Sequence, residues 1–154
     1  MKKNVQIEIY NSHGDEDKKN GGQTVTTDGF FKVSKSGYEI SYTEFLDEKN
    51  GSNTALHVNN NNKTVVMNRT GAFSANMIFE KGKRNNCQYK TPVGEFTLGV
   101  FAKEINNNLH DEGGELSFTY TLDFNSGYTS DNELRISVRR VWDEGYSKFL
   151  YRKH

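Results

Sequence analysis

The chain has 154 residues, a mass of 17.6 kDa, 20 basic and 20 acidic side chains, and therefore no formal net charge. That balance excludes a strongly basic nucleic-acid binder or an acidic tail protein as the starting assumption. Leu, Ile, Val and Phe make up 22% of the residues, just above the composition of a disordered chain, and the length suits one domain around one core.

Short stretches of alternating apolar and polar residues follow one another, which is the period of half-buried strands. Val5, Ile7 and Ile9 form the first. Residues 24–35 and 38–46 are strand-like and are parted by Ser36 and Gly37; Tyr38, Ile40 and Tyr42 alternate in the second. Leu56 and Val58 lie in a run over 53–58, and Val65 and Met67 in one over 63–69, with Asn59 to Asn62 between them. Asparagine is abundant, at 18 residues, and its runs read as turns because Asn tolerates the left-handed region and caps its own backbone.

A strand over about 73–80 follows Gly71 and ends at Lys81, Gly82 and Lys83. A short strand over 84–90 puts Cys87 and Tyr89 on one face. Thr91, Pro92, Val93 and Gly94 then read as a turn, with proline presetting its second position. Phe96, Leu98 and Val100 alternate. Residues 103–114 read as a long polar connection, and the strongest run follows it: Leu116, Phe118, Tyr120, Leu122 and Phe124. Residues 125–132 read as another connection before Leu134, Ile136 and Val138.

About ten strands on hairpin-length links predict an all-β chain. So many antiparallel strands expose two edges unless the sheet closes or packs as a sandwich. A closed antiparallel up-and-down barrel of about 8–10 strands is the expected fold, with residues 1–140 as the barrel. The tail, 141–154, lies outside it. Trp142, Tyr146, Phe149 and Leu150 are spaced for a short amphipathic helix there.

The lone cysteine, Cys87, can close no internal disulfide, and a reducing cytoplasm is the simplest compartment. The N-terminus has two lysines but no continuous apolar stretch behind them, so a signal peptide is not expected, and no window is apolar enough to span a membrane. The basic tail does not by itself argue for nucleic acid.

The ordered set Gly37-Tyr38-x-Ile40-x-Tyr42-x-Glu44, Thr54-x-Leu56-x-Val58, Arg69-x-Gly71, Met77-x-Phe79-Glu80-x-Gly82, Tyr89-x-Thr91-Pro92-x-Gly94 and Leu116-x-x-x-Tyr120-x-Leu122 resembles the YwiB-like family of small bacterial proteins. The resemblance covers roughly residues 4–140. It implies a calycin-type, lipocalin-like closed meander, and it implies no activity, ligand or catalytic residue.

The chain carries no nucleophile elbow, P-loop, dinucleotide fingerprint or zinc-protease motif. His13, His57, His110 and His154 fall in four separate places, with His13 and His110 in expected loops, so no metal or other cofactor is expected. The informative residues are charges on an apolar face. Glu44 continues Tyr38, Ile40 and Tyr42, and Arg69 continues Val65 and Met67. If those faces line the interior, the two ions must pair or meet water.

Large side chains expected to point inward are Tyr38, Tyr42, Met67, Phe79, Phe96, Phe118, Tyr120 and Phe124. Aromatic walls with a few polar groups are typical of small-molecule sites. The reading is a non-enzymatic module that holds a small, partly apolar ligand. Its candidate contacts are Tyr38, Tyr42, Glu44, Arg69, Met77, Phe79, Tyr89 and Tyr120. The alternative is a filled barrel that contacts other proteins through its rims, loops or basic tail.

Overall fold

The computed structural model describes residues 2–14, 21–45, 51–124, 127 and 129–140. These form ten strands: β1 (Lys2–His13), β2 (Gln23–Ser34), β3 (Gly37–Phe45), β4 (Gly51–Asn59), β5 (Thr64–Gly71), β6 (Ala75–Glu80), β7 (Arg84–Thr91), β8 (Gly94–His110), β9 (Gly113–Phe124) and β10 (Thr129–Arg140). Neighbouring strands pair antiparallel, and β1 also pairs with β10, so the sheet order is β6-β5-β4-β3-β2-β1-β10-β9-β8-β7. The helix expected over 141–154 lies outside the described residues.

The two sheet edges, β6 and β7, meet. Ser74 and Lys90 exchange backbone hydrogen bonds at 3.0 and 2.9 Å, and the Gly82 N–H donates to the Ala102 carbonyl at 2.9 Å. Between these points a side chain crosses the seam: the Asn85 amide donates to the Ile78 carbonyl at 3.2 Å. The sheet is thus a nearly closed up-and-down barrel. Closing the edges satisfies backbone groups that would otherwise template pairing with another chain.

Alternation decides which side chains enter the barrel. Along β4, Ser52, Thr54, Leu56 and Val58 are buried while the residues between them are not. The interior is filled by Val5, Ile7, Phe31, Ile40, Leu56, Val58, Val65, Phe79, Leu116, Phe118 and Ile136. Each such side chain contributes about 1.5–3 kcal/mol by leaving water. Phe79 of β6 reaches past the seam to β9, with its ring 4.7 Å from Phe118 and 4.9 Å from Tyr120.

The expected turns form. Asn62 takes the left-handed conformation at φ 61°, and the Asn59 and Asn61 side chains accept from the Asn61 and Lys63 N–H groups at 3.1 and 2.8 Å. The Thr91 hydroxyl donates to the Gly94 carbonyl at 3.0 Å and accepts the Val93 N–H at 3.2 Å.

The long polar connection expected at 103–114 is instead strand. β8 runs on to His110, and only Asp111 and Glu112 separate it from β9. A bulge between Ala102 and Glu104 shifts the register, so the buried face passes from Leu98, Val100 and Ala102 to Ile105 and Leu109. One extra residue exchanges the inward and outward sets, and the alternation breaks there. Likewise 129–132 belong to β10. His13 and His110, expected in loops, end strands β1 and β8.

Two residues expected inside are not. Phe96 is 43% and Phe124 40% exposed. Both have the inward parity, but β9 ends at Phe124, opposite Leu98, so Phe96 lies beyond the last β8–β9 pair.

On the outer wall, Arg84 of β7 spans β8 to grip Asp123 of β9 with two bonds, Nε–Oδ2 at 2.8 Å and Nη2–Oδ1 at 2.7 Å. The guanidinium and carboxylate lie where a Cβ of Gly99 would stand. A glycine on the middle strand therefore makes the saddle for this clamp.

Candidate functional site

The polar residues of the interior gather at one end. In β3, Tyr42 and Glu44 follow Ile40 on the inner face; in β4, Thr54 lies opposite Tyr42 and Ser52 opposite Glu44. In β5, Arg69 lies opposite Thr54. Sheet register alone therefore brings a phenol, a hydroxyl and a guanidinium into one row, with a carboxylate in the next.

Arg69 Nε donates to Thr54 Oγ1 at 3.2 Å, and Nη2 approaches Glu44 Oε1 at 3.4 Å and Met67 Sδ at 4.0 Å. The Arg69 and Glu44 side chains are 23% and 36% exposed. This is a partly wet rim pair rather than a buried one, held by a single long contact.

Tyr42 and Tyr120 are deeper. Burial pushes the Tyr42 phenol well above its usual range, the nearby Glu44 carboxylate pushes it further, and Arg69 opposes both. Burial also pushes Tyr120 up to about 12, against a downward pull from Arg69. Phe79 packs edge-on against Tyr120.

Ser52 shapes the other wall. Its hydroxyl accepts the Phe73 N–H at 3.1 Å and donates to the Phe73 carbonyl at 3.3 Å. The Ser74–Lys90 bridge brings β7 alongside, and the Phe73 and Tyr89 rings lie 6.1 Å apart. Glu44, Ser52, Arg69, Phe73 and Tyr89 together line a cavity of about 140 Å³.

Of the residues expected from the sequence, Tyr42, Glu44, Arg69 and Tyr120 form one interacting group. Tyr89 faces them across the cavity, and Phe79 supports Tyr120. Met77 pairs with Met67, the neighbour of Arg69 along the inner face of β5. Tyr38 stands apart. It stacks on Phe31 at 5.5 Å, six residues along β3 from Glu44, which is about 20 Å of strand. Ser52, Thr54 and Phe73 were not among the expected contacts. The first two continue the alternation of Leu56 and Val58 and could have been found; Phe73 lies between strands, where no periodicity marks it.

Cys87 is buried, and burial raises its thiol pKa. This is the environment of a packed thiol rather than an activated one. Among the described residues no three His, Cys, Asp or Glu side chains converge as metal ligands, and no helix is long and apolar enough to cross a membrane.

The partial exposure of the rim pair sets the effect of breaking it. Glu44→Ala and Arg69→Ala should each cost about 1–2 kcal/mol, because the first leaves the half-buried guanidinium without its carboxylate and the second strands the buried Thr54 hydroxyl. The direct coupling in a double-mutant cycle should stay below about 1 kcal/mol. Thermal melts followed by circular dichroism measure both; single variants that melt with the wild type would mean the pair orders nothing.

Fold and site together define a small antiparallel β-barrel whose interior is apolar and aromatic, with a charged, partly open mouth. Residues 7–136 match the family described as "Domain of unknown function (DUF1934)". The chain belongs to that family. It is 29% identical over 96 residues, 62% of this chain and 66% of the relative, to the uncharacterized beta-barrel protein YwiB of Bacillus subtilis (strain 168). The crystal structure of the ywiB protein from Bacillus subtilis superposes with a TM-score of 0.76 at 21% identity, covering 92% of this chain and 94% of that one. This likeness shows the shared fold.

Proposed function

We propose that the protein is a non-enzymatic binding module, a calycin-like barrel of a reducing, cytoplasmic compartment, that holds a small, partly apolar ligand at its mouth. The observation that carries this reading is the cavity of about 140 Å³ between the Arg69–Glu44 pair and the Phe73 and Tyr89 rings. Aromatic walls with a few fixed polar groups suit binding. The size matches an apolar cavity of about 150 Å³ that accepts benzene, so the ligand has about six to nine non-hydrogen atoms. The ligand sits at the rim and not in the middle of the barrel, where Phe31, Phe79 and Phe118 stand.

A thermal-shift screen with metabolites of that size tests the reading. A ligand at a hundredfold its Kd adds about 2.7 kcal/mol, or roughly 5–10 °C in a chain of this length. At least one compound should raise Tm in the wild type and not in Arg69→Met. A silent panel, or hits that survive Arg69→Met unchanged, would remove the mouth as a binding site.

A further inference from the structure

We infer that the mouth selects a zwitterion: a free α-amino acid with a small apolar side chain. The inference rests on the reading of the mouth as a binding site and specifies its ligand.

Among the described residues the cavity lining carries one cation, Arg69, and one anion, Glu44. A ligand bearing a lone carboxylate would reach Arg69 only beside the Glu44 carboxylate. A lone amine would reach Glu44 only beside the guanidinium. Each would set like charges together in a partly desolvated site, where they repel most. A ligand with both charges meets neither penalty.

The rim pair is also uncommitted. An arginine that is fully engaged by a carboxylate is gripped by two parallel bonds, as Arg84 is by Asp123. Arg69 instead meets Glu44 through one contact at 3.4 Å and gives Nε to Thr54. Among the described residues its Nη1 makes no hydrogen bond. A ligand carboxylate set end-on against Nη1 and Nη2 would leave the Thr54 bond intact. The Glu44 carboxylate has about four acceptor sites, and Arg69 donates to one of its oxygens, which leaves room for an ammonium.

Spacing narrows the class further. The guanidinium and carboxylate are adjacent on the wall, so their counterparts on the ligand must be adjacent too. An α-amino acid carries both on one carbon. Its side chain then points to the Phe73 and Tyr89 rings, the apolar part of the lining.

Calorimetric titration of the full chain with four probes tests this: L-leucine, its methyl ester, N-acetyl-L-leucine and 6-aminohexanoate. L-leucine should bind saturably, and the other three at least tenfold more weakly. In Glu44→Gln, checked for folding by circular dichroism, the preference for L-leucine over N-acetyl-L-leucine should fall by at least tenfold. N-acetyl-L-leucine or the ester binding as well as L-leucine would overturn the zwitterion, as would equal binding of 6-aminohexanoate. Silence from all four probes with hits elsewhere in the thermal-shift panel would overturn the ligand class and leave the binding site standing. Silence in both would overturn both.

Discussion

Phe79→Ala should lower stability by about 3–5 kcal/mol, the range for emptying a large aromatic site in a core. Phe79 is fully buried and touches Phe118 and Tyr120 on β9, past the seam and the intervening β7 and β8. β6 is six residues long and pairs continuously only with β5. Phe79 therefore ties the β6 edge to the part of the sheet on the other side of the seam. Its truncation should loosen that seam as well as leave a cavity. Ile78 is the internal control, being adjacent in sequence but 36% exposed on the outer face. Ile78→Ala should cost less than about 1 kcal/mol. Urea unfolding supplies both values, and hydrogen exchange should show the β6 amides losing protection first in Phe79→Ala. Equal losses in the two variants would mean that the barrel does not depend on this contact.

The same parity argument that separates Phe79 from Ile78 made much of the fold legible. Side chains of period two point to alternate faces, so a run such as Leu116, Phe118 and Tyr120 announces its strand and its buried face. It also places Glu44 and Arg69 on the inner wall, where the strand register has them. Parity fixes the face, however, and not the height along the strand. Tyr38 and Glu44 share a face, yet only the pairing of Tyr38 with Val58 and of Glu44 with Ser52 shows them at different levels. Phe96 and Phe124 failed for the same reason: each faces the right way, but at or beyond the end of β9. The bulge in β8 hid a continuous strand because Ile105 and Leu109 carry the opposite parity from Val100 and Ala102. A reader of the sequence sees alternation stop, and the bulge that explains it is a pairing between chain segments far apart. The single contact between Arg69 and Glu44, and the wall made by Phe73, depend on such pairings and have no signature of their own.

Raising the pH above 10 should unfold the protein in one steep transition. The two buried phenols, Tyr42 and Tyr120, cause it. An unfolded tyrosine ionises near 10, whereas burial lifts Tyr120 to about 12 and Tyr42 beyond the usual phenol range. Between those limits the unfolded chain has lost protons that the native state still holds, so stability falls as pH rises. Below pH 10 both states keep the protons and nothing is lost. Above it each phenol removes up to about 1.4 kcal/mol per pH unit. Tyr120 alone therefore removes roughly 3 kcal/mol by pH 12. With a comparable loss from Tyr42, the sum approaches the whole stability of an ordinary domain. Tyrosinate absorbance and circular dichroism, followed together, should show two of the chain's eight tyrosines ionising only as the sheet signal collapses. Tyr120→Phe should roughly halve the steepness and move the transition to higher pH. It is the cleaner variant, since Tyr42 also lies within the electrostatic reach of both Glu44 and Arg69. All eight phenols titrating near pH 10 while the sheet signal persists would show that Tyr42 and Tyr120 are reached by water and that the barrel is open around them.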